Sequence, residues 1–371
     1  MVIESEGLLP RGGGAEFVGY ALPGEGTSIM RKLMGVAWAV AALWGGVLSA
    51  EGAPQMAKFS MGAVTNTGNM LMFVAIDKGF FAKHGIDAKV MLRDTGADLS
   101  KSLDAGELDL SIAAMPNIPV ALERGLRARA IVGYTGSAYT KSADDEMMAI
   151  IVRPDSGINS LVGLKGKKVG VSLGTSEDLY LQEVLKKNGV PVEALNRINV
   201  PLSSKVSLFD TGGVQAMVGL EPYNAMMIAK VKGSRELVRG GGHICFCSSL
   251  HGLPERIYMD RDVTQRVVDA MSETAFFVRD PKNLDEIGPI AARYVRGMDP
   301  DIVKRTHKFW GFDTRIGKNT FKAFNITVQQ LLAQKKMKQP FGPEKYYDTT
   351  FIRRTMERHP EWFKDLPGGE P

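Results

Sequence analysis

Hydrophobic and polar positions along the chain change rhythm at regular intervals. Residues 58–64 form a short apolar-rich run that reads as a strand. Residues 69–84, NMLMFVAIDKGFFAKH, carry apolar side chains at helical spacing up to Gly85, a helix-ending signal. The alternation continues with a strand over 86–92, a turn at Asp94-Thr95-Gly96, and a helix over 97–105 closed by Gly106. A strand over 108–113 then leads through Met115-Pro116-Asn117 into a helix ending near Arg124, and 128–134 is a further strand. Strands and helices alternating in this way predict βαβ units and a mainly parallel sheet.

Residues 135–146 are small and polar and read as a crossing to a second lobe. The rhythm then resumes: strand 147–152, loop 154–163, strand 168–173, loop Gly174-Thr175-Ser176, and a helix ending at Asn188-Gly189. Strand 197–200, helix 203–211 and strand 214–220 follow, the last running into Glu221-Pro222-Tyr223 and a helix to Lys232. The two halves echo each other. Lys83-His84-Gly85-Ile86 precedes the first repeat, and Lys187-Asn188-Gly189-Val190 precedes the second. Gly240-Gly241-Gly242 reads as a flexible joint, with strands over 244–247 and 256–260 returning to the first lobe. The region 263–338 is mainly helical, broken at Pro281, Pro300 and Gly311. The expected division is 57–140 and 243–338 for the first lobe, 141–242 for the second, and a tail over 339–371 with a frayed Pro/Gly end.

The N-terminal pattern differs. Met30-Arg31-Lys32 opens a positive segment, 33–48 is apolar, and Ser49-Ala50 supplies small residues. Together these describe a secretory signal peptide, with an apolar run shorter than the ~20 residues a bilayer span needs. The reading places the true start near Met30 and leaves residues 1–50 outside the fold. Composition adds little: 371 residues, 44% hydrophobic and 23% charged, suit about two globular domains. A net charge of +5 without a long basic run gives no argument for nucleic-acid binding.

Candidate chemistry concentrates in two loops. Gly174-Thr175-Ser176 and Thr65-Asn66-Thr67-Gly68-Asn69 each place hydroxyls, amides and backbone N–H groups after a strand and before a helix, where polar ligand atoms are favoured. Gly-Thr-Ser-Glu also reads as a plain helix cap with an acidic first turn. There is no Walker loop or His-Glu-x-x-His. The clusters Glu177-Asp178, Asp144-Asp145-Glu146 and Lys335-Lys336 read as solvated surface. Cys245 and Cys247, the only cysteines, would sit ~6.5 Å apart in a strand, at the edge of disulfide geometry, so two unbonded buried thiols are expected.

Four segments carry a resemblance: AIDKGFFAKH with Gly85-Ile86, LDAGELDLSI, LKGKKVG and Glu221-Pro222-Tyr223. In order and spacing, over residues 57–335, they resemble the substrate-binding proteins of ABC importers for nitrate, sulfonates, taurine and thiamine precursors. The resemblance implies an α/β, two-lobed periplasmic binding protein fold of type II-like topology, with two mainly parallel sheets, a two-segment hinge and a helical C-terminal region. It also implies a non-enzymatic periplasmic monomer without cofactor. Such a protein binds a small organic nutrient and docks on an inner-membrane ABC permease driven by a cytoplasmic ATPase. Matched position by position, the pocket comprises Thr65, Asn66, Thr67, Asn69, Thr95, Met115, Asn117, Tyr134, Gly174, Thr175, Ser176, Glu221 and Tyr223. No Arg or Lys lies in these loops, although Arg93 is adjacent, and Met70, Met115 and Met217 suggest a less polar ligand unless they serve core packing. One further segment, His243-Ile244-Cys245-Phe246-Cys247, resembles the cysteine-rich segment of fungal thiamine-pyrimidine synthases. It raises the alternative of a metal-using enzyme with His243, Cys245 and Cys247 as ligands.

Overall fold

The computed structural model describes residues 56–371, which form one unit; the predicted export signal lies outside them. Ten strands build two five-stranded sheets. The first contains β1 (Ala57–Val64), β2 (Ile86–Arg93), β3 (Leu110–Ala114), β4 (Arg129–Gly133) and β10 (Ser248–Gly252), in the order β2-β1-β3-β10-β4. The second contains β5 (Met148–Val152), β6 (Lys168–Val171), β7 (Asn196–Asn199), β8 (Ala216–Leu220) and β9 (Arg235–Arg239), in the order β7-β6-β8-β5-β9. In each sheet one strand, β10 or β5, runs against the other four. The echo between the halves of the sequence is thus a shared topology. The chain crosses between sheets twice, between Gly133 and Met148 and between Arg239 and Ser248.

Helices pack against both sheets, and most positions of the inner strands are buried. β5 (MAIIV) and β8 (AMVGL) are apolar end to end for that reason. Five helices of the C-terminal region, Arg261–Arg279, Leu284–Tyr294, Asp301–Thr306, Lys318–Ala333 and Thr350–Arg358, complete the structure. Among the described residues no helix is long and apolar enough to cross a membrane.

Several expectations need correction. The helix read over 69–84 is interrupted: it spans Met70–Asp77, and Gly79 at φ +75° starts a separate turn, Phe80–Lys83. β9, RELVR, is an edge strand too charged to show an apolar period. No strand occupies 256–260, where Pro254–Ile257 is a helical turn. The returning strand is Ser248–Gly252 rather than 244–247. It is polar in sequence yet buried, because β3 and β4 flank it on both sides.

The tail is docked through Phe363, while the Pro/Gly end beyond it is exposed. Phe351 and Ile352 are fully buried, each worth about 1.5–3 kcal/mol. Tyr346 Oη bonds His251 Nδ1 at 3.0 Å, and Arg315 Nη2 donates to Pro367 O at 2.9 Å.

The cysteines are also corrected. The segment around Cys245 is irregular, its Cα lies 5.1 Å from that of Cys247, and the two form a disulfide. The shortened spacing brings the pair well inside the range a bridge spans. The acidic cluster expected to be solvated serves this crossing. Asp145 accepts the N–H groups of Gly242 (2.9 Å), His243 (2.6 Å) and Ile244 (3.2 Å), and Asp144 accepts Ser137 N–H at 2.7 Å. Three successive glycines at φ +52°, +107° and +69° (Gly240–Gly242) make the sharp turn that lets those N–H groups converge.

Candidate functional site

A cleft lies where the carboxyl ends of the parallel strands of both sheets face one another, the position at which open α/β sheets hold ligands. Val64 and Ala114 close β1 and β3 on one side; Ser172 follows β6 and Leu220 closes β8 on the other. The two crossings contribute Thr135, Phe246 and Ser248, and the C-terminal region contributes Trp310.

The apolar wall is built around Trp310. Its Nε1 donates to Thr67 Oγ1 at 2.9 Å, and its ring meets Phe246 edge-on with centroids 5.9 Å apart. Gly68 makes room for the indole: a Cβ there would lie 2.5 Å from Trp310 Cζ3. Leu99, Ile112, Leu202 and Leu220 extend this wall.

The polar wall is set by helix starts. Asn66 caps a short turn, accepting Asn69 N–H at 3.2 Å. Thr95 caps Gly96–Asp104: its hydroxyl accepts Asp98 N–H at 3.1 Å and donates to Asp98 Oδ2 at 2.7 Å. Thr175 caps the helix Ser176–Lys187, accepting Glu177 N–H at 3.2 Å and donating to Ser172 O at 2.7 Å. In the first turn of that helix Glu177 is buried against Lys205, Oε2 to Nζ 2.8 Å. Asp178 pairs with Arg197 at 2.8 Å and Lys336 at 3.1 Å. Burial alone would raise the Asp178 carboxyl, but Lys336 and the Gly174 N–H hold it below its ordinary value. Neither residue is the solvated helix start expected from the sequence, and Lys336 is not a free surface charge.

Of the predicted pocket residues, the cleft brings together Asn66, Asn69, Thr95, Asn117, Thr175 and Ser176. Gly174 lies on an adjoining groove. Thr67 acts behind the wall, seating Trp310. Thr65 and Tyr223 bridge the two lobes: Tyr223 Oη donates to Thr65 O at 2.6 Å and lies 3.0 Å from Thr65 Oγ1. Three further predicted residues are buried away from the cleft. Tyr134 is buried beneath it, its hydroxyl accepting Met72 N–H (2.9 Å) and donating to Asn69 O (3.2 Å). Met115 is core. Glu221 turns inward to Arg239 at 2.6 Å, and burial pushes its carboxyl above the ordinary value despite that partner. Met70 and Met217 are likewise fully buried core, so they say nothing about ligand polarity.

Arg93 faces away, bonded to Ser102 and Glu107 at 3.0 Å each. The cysteines of the candidate metal set are bridged to each other, and His243 is tied to Asp145 through its backbone N–H. Sequence reasoning missed Glu177, Trp310 and Phe246. Only the acidic residue two places after the Thr175 cap was a visible signal.

Comparison with known proteins bears on this arrangement. The family described as NMT1/THI5 like matches residues 66–283. A Brucella abortus protein described as a binding protein is 31% identical over 150 residues, covering 40% of this chain and 43% of its own. The chain therefore spans less than half the length of that relative. A Bacillus subtilis protein named for binding aliphatic sulfonates is 25% identical over 299 residues, 78% of this chain and 85% of its own. The 4-amino-5-hydroxymethyl-2-methylpyrimidine phosphate synthase of Uromyces fabae is 25% identical over 197 residues, 48% of this chain and 54% of its own. In structure, the alkanesulfonate-binding protein SsuA from Xanthomonas axonopodis pv. citri bound to MOPS superposes with a TM-score of 0.68 at 18% identity, covering 80% of this chain and 100% of that one. The shared fold is the two-lobed binding-protein fold expected from the sequence.

Proposed function

The chain belongs to the NMT1/THI5-like family, and from that membership we propose that it is a periplasmic solute-binding protein. It captures a small organic nutrient, a sulfonate, a pyrimidine or a similar molecule, between its lobes. It delivers that solute to an inner-membrane ABC permease with a cytoplasmic ATPase. The observation that carries this reading is the cleft itself, assembled from strand ends of both sheets and bridged by Tyr223 and Thr65. Such a site closes around a ligand by hinge motion at the two crossings. The signal-like segment before residue 51 supports export.

A binding role rather than a catalytic one is favoured by how the cleft hydroxyls are used. That of Thr95 donates to the Asp98 carboxylate, and those of Ser172 and Thr175 donate to the backbone carbonyls of Val200 and Ser172, none of them to a basic side chain. The synthase from Uromyces fabae keeps an enzymatic reading in view. That reading, with His243, Cys245 and Cys247 as metal ligands, needs two free thiolates, and the disulfide takes both.

The test is a thermal-shift screen of sulfonates, pyrimidines and larger apolar nutrients on the exported protein, with the W310A variant alongside. At 100-fold excess over Kd a ligand stabilises the folded form by about 2.7 kcal/mol. The reading predicts at least one compound that raises Tm by several degrees in wild type and not in W310A. Stabilisation by a divalent metal alone, with no response to any organic compound, contradicts it.

A further inference from the structure

The loop after β6 resembles an anion cradle in sequence, but the protein's own carboxylates already fill it. Ser172 N–H donates to Glu177 Oε2 at 3.2 Å, and Gly174 N–H donates to Asp178 Oδ2 at 3.1 Å. Both carboxylates sit in the first helical turn, where the helix dipole favours negative charge. The electropositive end of the helix is therefore neutralised from within.

Two polar atoms of this wall have no partner: Glu177 Oε1 and Ser176 Oγ. Their residues line the cleft and are 2% and 3% exposed. A buried polar atom without a partner is costly, and a carboxylate oxygen can only accept. Among the described residues lining the cleft there is no Arg, Lys or His, and Asp94 adds a second carboxylate at the rim. Trp310 and Phe246 supply aromatic surface in the same space.

We infer that the ligand is a small molecule carrying an uncharged or cationic N–H group on an apolar or aromatic body. The N–H donates to Glu177 Oε1, Ser176 Oγ makes a second contact, and Trp310 and Phe246 cover the body. The inference rests on the solute-binding reading and narrows it. A nitrate or sulfonate oxygen in this position would set acceptor against acceptor at Glu177 Oε1 and leave that atom without a donor, which disfavours this ligand class.

Isothermal titration calorimetry with benzylamine, benzamide, sodium benzenesulfonate and sodium nitrate tests this, since the first three differ in charge around one ring. Wild type is expected to bind benzylamine or benzamide and neither anion. E177Q should weaken that binding about tenfold or more, because it replaces the charged acceptor. E177Q also leaves Lys205 without its carboxylate. S176A, which removes only the second contact, therefore provides an independent arm and should weaken binding several-fold in a fully folded protein. Tighter binding of benzenesulfonate or nitrate than of the amine and amide overturns the inference and leaves the solute-binding reading intact. Unchanged affinity in both variants also overturns it. If none of the four probes binds and the wider screen finds no stabilising compound, both readings fall.

Discussion

Lys205 and Glu177 form an ion pair inside the second lobe, Nζ to Oε2 2.8 Å, with both side chains essentially inaccessible to water. Lys205 also donates to Val218 O at 2.8 Å, so the ammonium is held by both a helix start and a strand. Removing one member of such a pair strands a buried charge. K205M is expected to cost about 3–5 kcal/mol in urea unfolding, and the K205M/E177Q double variant should recover part of that loss. A K205M cost under about 1 kcal/mol would show that the pair does not hold the cleft wall.

Tyr223 joins the lobes through its hydroxyl, which donates to the backbone carbonyl of Thr65 at 2.6 Å. Y223F removes that donor and keeps the ring. The loss of a hydrogen bond of about 1 kcal/mol should speed ligand release roughly fivefold, read by stopped-flow fluorescence of Trp310. An unchanged release rate would place the bridge outside the closing motion.

His251 predicts a pH effect. It is fully buried between Ser111 and Tyr346, and burial pushes its pKa from 6.5 down to about 3. The folded state therefore keeps the ring neutral, while the unfolded chain takes up a proton below 6.5. Between those values the unfolded state binds more protons, so stability falls as pH falls, by about 1.4 kcal/mol per pH unit from this group. The contribution is intact above the upper value. Urea midpoints of wild type and H251Q across pH 7 to 4 should differ in slope by roughly that amount. Parallel profiles would remove His251 from the acid sensitivity.

Gly68 and Trp310 are fitted to each other. G68A drives a methyl into the indole and should cost about 1–3 kcal/mol by overpacking, while displacing the ring from the cleft and weakening ligand binding. A G68A protein that binds as wild type does would mean that the indole is not a ligand surface.

Much of the architecture was legible because period and loop chemistry agreed. The alternation of strand and helix, and the matching Lys-His-Gly-Ile and Lys-Asn-Gly-Val segments, carried the two-sheet fold. The loops after β1, β2, β3 and β6 carried Asn66, Asn69, Thr95, Asn117, Thr175 and Ser176. What escaped depended on partners remote in the chain. β10, SSLHG, is polar and is buried only because two strands flank it. β9, RELVR, is an edge strand without an apolar face. Glu177 reads as solvated until Lys205 is placed against it. Trp310 reaches the cleft from the break beside Gly311 in the C-terminal region, where no polar loop chemistry marks a site. Cys245 and Cys247 sit at the far edge of disulfide geometry in a regular strand, and the irregular crossing that shortens their spacing to 5.1 Å, held at Gly242 and His243 by Asp145, has no periodic signal.

Native mass spectrometry of the protein, purified gently after export, tests the central claim most directly. The account predicts one small organic molecule per chain that leaves on denaturation and whose fragments carry an N–H group. One retained metal ion per chain, with no organic molecule, would contradict it.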